Sequence, residues 1–227
     1  MSNNFILLIF NIIFTIIIGI YTFFILFSYM EKKEKKMLYL MLIFVSQVIF
    51  LILQIIRYSS ELITGETTTL SSFGLVFGFV FTLLSTVFAL FFYGKFSELR
   101  KSIKIIGILF GAFLIIWFLL PPNYAPSTGG FHFSYISYLF ATIYCVPLYL
   151  YLSIKFYNLS KNSEDQQKKL FLLFLGNLFW VFVFFWKLIQ IFAFRGLLWA
   201  ALVGYIAYII AITGYFLGAH SKKERKE

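Results

Sequence analysis

Along this chain the apolar residues neither alternate nor recur on one helical face. They run on for long stretches and then give way to short polar clusters. A helix needs ~17–25 apolar residues to cross ~30 Å of hydrocarbon. Seven runs have that length: 5–29, 37–56, 70–93, 102–120, 133–154, 170–192 and 196–219. Pro121 and Pro122 close the fourth, because proline lacks the N–H a helix needs and clashes with the preceding turn. The pattern predicts an all-α integral membrane protein: one seven-transmembrane-helix bundle over residues 1–227, seated in the cell membrane.

Composition agrees. Hydrophobic residues make up 61% of the chain and charged ones 12%, with a mean hydropathy of +0.91. Soluble domains run nearer ~45–50% and ~25%. A water-soluble fold has no interior large enough for this much apolar surface, so the excess is expected to face lipid. Little length is left for a soluble catalytic domain, and a non-enzymatic function is expected. Cys145 is the single cysteine, which precludes an internal disulfide or a cysteine metal cluster, and no cofactor or metal is expected. The first run lacks a basic leading segment and a small-residue cleavage site, so it is expected to persist as a span.

The formal charge of +10 raises the question of nucleic acid, but the basic residues are distributed wrongly for it. They cluster between runs instead of lining one face or tail. On one side lie Lys32, Lys33, Lys35 and Lys36, then Lys95, Arg100, Lys101 and Lys104. Lys155, Lys161, Lys168 and Lys169, and finally Lys222, Lys223, Arg225 and Lys226, follow on that same side. The opposite side holds Arg57, Lys187 and Arg195. Lys and Arg are enriched in cytoplasmic loops, so the N-terminus is predicted outside and the C-terminus inside. Membrane lipids and a protein partner in the membrane or cytoplasm are the expected partners. The outer connections 57–69 and 121–131 are Thr/Ser-rich and Pro/Gly-rich respectively, and too short to form a binding domain.

Polar side chains within the runs carry what chemical information there is. Tyr135, Tyr138, Thr142, Cys145 and Tyr149 share one stripe of the fifth run. Asn177, Trp180, Phe184 and Lys187 do so in the sixth, and Tyr205, Tyr208 and Tyr215 in the seventh. Gln47 and Gln54 stand two turns apart in the second. An amide facing lipid leaves donors and acceptors unmet, so these residues should face the interior. They form either a polar-aromatic ligand pocket among helices two, five, six and seven, open toward the outer half, or hydrogen-bonded contacts between helices. Lys187, one turn from a helix end, either snorkels to the interface or binds an anion. Pro147 is expected to kink the fifth helix. The pairs Gly74/Gly78, Gly107/Gly111 and Gly214/Gly218 mark tight helix crossings.

The carboxylates Glu31, Glu34, Glu61, Glu66, Glu98, Glu164, Asp165, Glu224 and Glu227 all fall in predicted connections or tails. Proton- and cation-coupled transporters use acids within the membrane, so gradient-driven transport is not expected. His132 and His220 lie at opposite faces and do not converge on one haem iron. The seventh run has no lysine for retinal.

The third run closes on Phe88, Ala89, Leu90, Phe91, Phe92, Tyr93 and Gly94 before a basic loop. The fourth closes on Leu120, Pro121 and Pro122, and Lys168 and Lys169 lead into a sixth run with Gly176 and Asn177. In these features the chain resembles the seven-helix sensor region at the N-terminus of bacterial and archaeal histidine kinases. No histidine-phosphotransfer or ATP-binding segment follows within the 227 residues. The resemblance therefore implies a receptor-like sensor that signals through a separate partner. An accessory or structural subunit of a membrane complex is the alternative. A sugar facilitator of the SWEET type, with seven helices of the same orientation, fits less well. Its helices carry paired prolines and a Pro-Gln, and this chain has neither.

Overall fold

In the computed structural model, which describes residues 3–120, 124–125, 130–131, 135–163, 166–194 and 197–220, every apolar run is a helix. They are α1 (Asn3–Lys32), α2 (Lys35–Thr64), α3 (Thr69–Tyr93), α4 (Lys101–Leu119), α5 (Tyr135–Asn162), α6 (Gln167–Ala193) and α7 (Leu198–His220). Each is long and apolar enough to cross a membrane. Between α4 and α5, β1 (Tyr124–Ala125) pairs antiparallel with β2 (Gly130–Phe131), setting Tyr124 opposite Phe131.

The largest departure from the sequence reading is the end of α2. Hydropathy alone stops it at Ile56, whereas the helix continues to Thr64. Two features carry it through the polar stretch. Arg57 and Glu61 are one turn apart and pair on the helix surface, and Leu62 and Ile63 keep the segment apolar. Gly65 then stops it with φ 73°, a left-handed conformation that glycine adopts without a Cβ penalty. Thr68 starts α3 with a capping box: its hydroxyl accepts from the Ser71 N–H, and Ser71 Oγ accepts from the Thr68 N–H. Glu61 is therefore a helical residue, not a loop residue. So is Glu31, in the last turn of α1.

The chain divides into two compact units, Met1–Ala141 and Thr142–Glu227, with the division inside α5. In the first unit α2 packs on α1 and α3, and α3 on α4. Ile18 and Ile25 of α1, Leu40, Phe44 and Leu51 of α2, Val76, Leu83 and Leu90 of α3, and Leu114 and Phe118 of α4 are buried. The outward surface is equally apolar. Ile12, Ile16, Phe23 and Phe27 of α1 and Ile106, Leu109, Phe113 and Ile116 of α4 are exposed, the reverse of a water-soluble surface.

Glycines set the closest crossings. A Cβ on Gly74 would lie 2.5 Å from the Leu53 carbonyl oxygen, so α3 approaches α2 backbone to side-chain-free backbone. Gly78 faces Gln54 and Phe50, Gly107 of α4 faces Leu90 of α3, and Gly111 is buried on the same helix. In the second unit α6 packs on α7. A Cβ on Gly214 would lie 2.9 Å from Gly176 Cα, and one on Gly218 would lie 2.7 Å from Leu173 Cγ. Ser153 Oγ of α5 donates to the Phe174 carbonyl of α6 (3.0 Å). Pro147 lies on the exposed side of α5, which continues as helix on both sides of it.

Candidate functional site

In the first unit the polar residues of α2 lie along its α3 side. Gln47 is fully buried, and its Nε2 donates to Ser85 Oγ (2.5 Å). Ser85 Oγ in turn donates to the Thr82 carbonyl (2.8 Å). Two turns further along, Gln54 is 3% exposed. Its Oε1 accepts from Arg57 Nη1 at the long limit of 3.5 Å. Its Nε2 is buried against the bare backbone of Gly78 and has no hydrogen-bond partner among the described residues. Turning the amide round would set its NH2 against a guanidinium that can only donate, so the oxygen faces Arg57.

Arg57 Nε donates to Glu61 Oε1 (3.1 Å), with side chains 23% and 12% exposed. The guanidinium also sits 4.9 Å from the centre of the Tyr58 ring. Tyr138, from the first turns of α5, is within electrostatic reach of Arg57 and packs edge-on to Phe79 (4.9 Å, 85°). Ser60 Oγ and Thr68 Oγ1 share a hydrogen bond (2.6 Å) that ties the end of α2 to the α3 cap. Among the described residues the guanidinium is held by one carboxylate and one distant amide, beside an amide NH2 with no acceptor, and it can take a ligand oxygen in place of either internal partner.

The second unit treats its amide differently. Asn177 is fully buried. Its Nδ2 donates to the Leu173 carbonyl (2.6 Å), and its Oδ1 accepts from the Tyr215 hydroxyl (2.7 Å). One turn away Trp180 stacks on Tyr149 (5.5 Å, 13°) and Phe184 (5.8 Å, 30°) and meets Tyr208 edge-on (5.5 Å, 88°). Here the aromatic stripes of α5, α6 and α7 pack into one another as a core.

The other sequence candidates divide between the units. Thr142 is buried, and Tyr205 is half-buried on α7. Lys187 is half-buried near the end of α6, where its ammonium donates to Gln190 Oε1 (3.2 Å), one turn on. Tyr135 opens α5, but its side chain, like His132, lies outside the described residues. Sequence reasoning missed Arg57 and Glu61 as a site, because it assigned both to a loop. The signal was present: an Arg and a Glu at i,i+4 followed by two aliphatic residues continue a helix rather than end one. No family model, curated protein or solved structure matches the chain.

Proposed function

We propose that this chain is a multi-pass membrane protein, N-terminus outside and C-terminus inside, that acts as a receptor-like sensor and reports to a partner protein. The orientation rests on the four basic clusters against Arg57, Lys187 and Arg195. The sensing role rests on one observation, the Arg57–Glu61 pair beside the Nε2 of Gln54, which has no partner among the described residues. A charge within an apolar helix is costly, and such a residue is by default a functional candidate. With this orientation the pair lies at the outer end of α2, where a small amphiphilic molecule carrying a carboxylate or carbonyl oxygen reaches it from outside or from the lipid. Such a ligand signals by binding one helix arrangement better than another. The likeness to histidine-kinase sensor regions points the same way. Glu61, expected in a connection, belongs to the last turn of α2, and its charge is committed to Arg57.

The test is thermal unfolding of the purified full chain in mild detergent against a panel of carboxylate-bearing and neutral amphiphiles. A carboxylate amphiphile is expected to raise the melting temperature of the wild type by several degrees and to leave Arg57→Gln unmoved. No shift with any compound, together with co-purification of other small membrane subunits, supports the accessory role instead. The Gln47–Ser85 and Asn177–Tyr215 hydrogen bonds favour that second reading, since they tie one helix to its neighbour.

A further inference from the structure

The opposite end of the first unit carries a second feature that no part of the sensing proposal uses. Tyr39 near the start of α2 stacks on Phe91 near the end of α3, centroids 5.3 Å apart at 18°. Lys95, just after α3, places its ammonium over Tyr39 (5.8 Å), and Lys104, in the first turns of α4, places its own over Phe91 (5.1 Å). Each ring of the stack thus carries one ammonium. Both lysines are exposed, and the rings are half-buried.

This arrangement differs from the cation–ring pairs of α5. There Lys155 over Tyr151 (5.7 Å) and Lys161 over Tyr157 (4.5 Å) are neighbours one turn apart on a single helix. Any helix produces such pairs when lysines snorkel. The Tyr39–Phe91 ladder instead draws on three helices, and it holds two long side chains that would otherwise be free to wander. Lysine is a strongly hydrated point charge on a flexible stem. Fixing it over a ring removes part of the ordering cost of binding an anion.

The surroundings strengthen the field. Lys32, Lys33, Lys35, Lys36, Arg100 and Lys101 belong to the same connections, against Glu31, Glu34 and Glu98. Glu34 is partly neutralised by Lys36 (2.7 Å). Basic residues just outside a span attract anionic lipid, and aromatic rings favour the headgroup level. We propose that Lys95 and Lys104, braced by the Tyr39–Phe91 stack, form a two-point site for the phosphates of anionic phospholipids. The proposal rests on the reading that these helices lie in a bilayer, but not on the sensing role.

The experiment reconstitutes the full chain in nanodiscs of mixed phosphatidylcholine and phosphatidylglycerol. It then extracts the protein gently and counts retained lipid by native mass spectrometry. The wild type is expected to retain phosphatidylglycerol preferentially, and Lys95→Gln/Lys104→Gln to retain roughly tenfold less. Lys32→Gln/Lys33→Gln, which removes the same charge outside the ladder, is expected to lose less than about twofold. Circular dichroism shows whether each variant keeps its helix content. Equal losses in the two double variants reduce the effect to diffuse charge and overturn the site, as does no loss in the first. Inorganic phosphate that displaces the lipid from the wild type would make free phosphate the ligand and also overturn it. A chain that does not enter nanodiscs overturns the bilayer reading and the site together.

Discussion

The α2–α3 crossing and the α6–α7 crossing use one packing device with different chemistry. In both, a glycine lets two sequence-adjacent helices approach more closely than any side chain permits. In both, a buried amide bonds to a hydroxyl on the neighbouring helix: Gln47 to Ser85 in the first and Asn177 to Tyr215 in the second. The likeness ends within the next two turns. Past Gln47, the first crossing adds Gln54, whose NH2 is unmet among the described residues, and an Arg–Glu pair. Past Asn177, the second adds a closely stacked Trp180. Hydrogen bonds between membrane helices are worth ~0.6 kcal/mol each on average, so neither amide dominates stability. An unmet donor and a charged pair are instead costs, and the sensing proposal rests on their presence at one crossing and not at the other.

The sharpest way to break the comparison is at the closest backbone approach. Gly214→Leu drives a side chain into Gly176 and is expected to destabilise the second unit by about 3 kcal/mol or more. SDS titration of the purified protein, followed by the fluorescence of its four tryptophans, three of them in the second unit, reads this. A loss below about 1 kcal/mol would mean that α6 and α7 are not held at the observed distance.

A smaller effect distinguishes the two amides. Asn177→Leu breaks a closed pair of bonds and is expected to cost about 1 kcal/mol in the same titration. Gln54→Leu removes a donor with no partner among the described residues and an acceptor that meets Arg57 only at the long limit of 3.5 Å, and it is expected to change stability by less than about 0.5 kcal/mol. It should still abolish the ligand-induced shift. Should Gln54→Leu prove the more destabilising of the two, the first crossing is structural after all and the contrast fails.

The seven helices were legible in the sequence because a run of apolar residues has few alternatives in a chain of this composition. Their ends were less so. Hydropathy penalises Arg57 and Glu61 separately and cannot see that, at i,i+4, they neutralise each other. The inward placement of Gln47, Gln54 and Asn177 followed from the cost of an amide in lipid, and all three are buried. Their partners did not follow. Ser85 and Tyr215 each lie 38 residues from the amide they meet, and which polar residues face each other depends on helix rotation, which sequence periodicity leaves open. The tyrosine stripes were ambiguous for a related reason. With aromatic residues at 22% of the chain, spacing alone does not separate a ligand pocket from a ring-on-ring core. Around Trp180 the rings pack on one another.

Both sites proposed here depend on direction: the Arg57–Glu61 end must face outward and the lysine-bearing end must face the cytoplasm. Cysteines introduced singly at Ser127 and Ser163 test this most directly, using a membrane-impermeant maleimide on intact cells and then on permeabilised ones. The native Cys145 is buried and gives little background. The account predicts that the residue 127 cysteine labels on intact cells and the residue 163 cysteine only after permeabilisation. Labelling of both from the same side, or of residue 163 alone from outside, would contradict it.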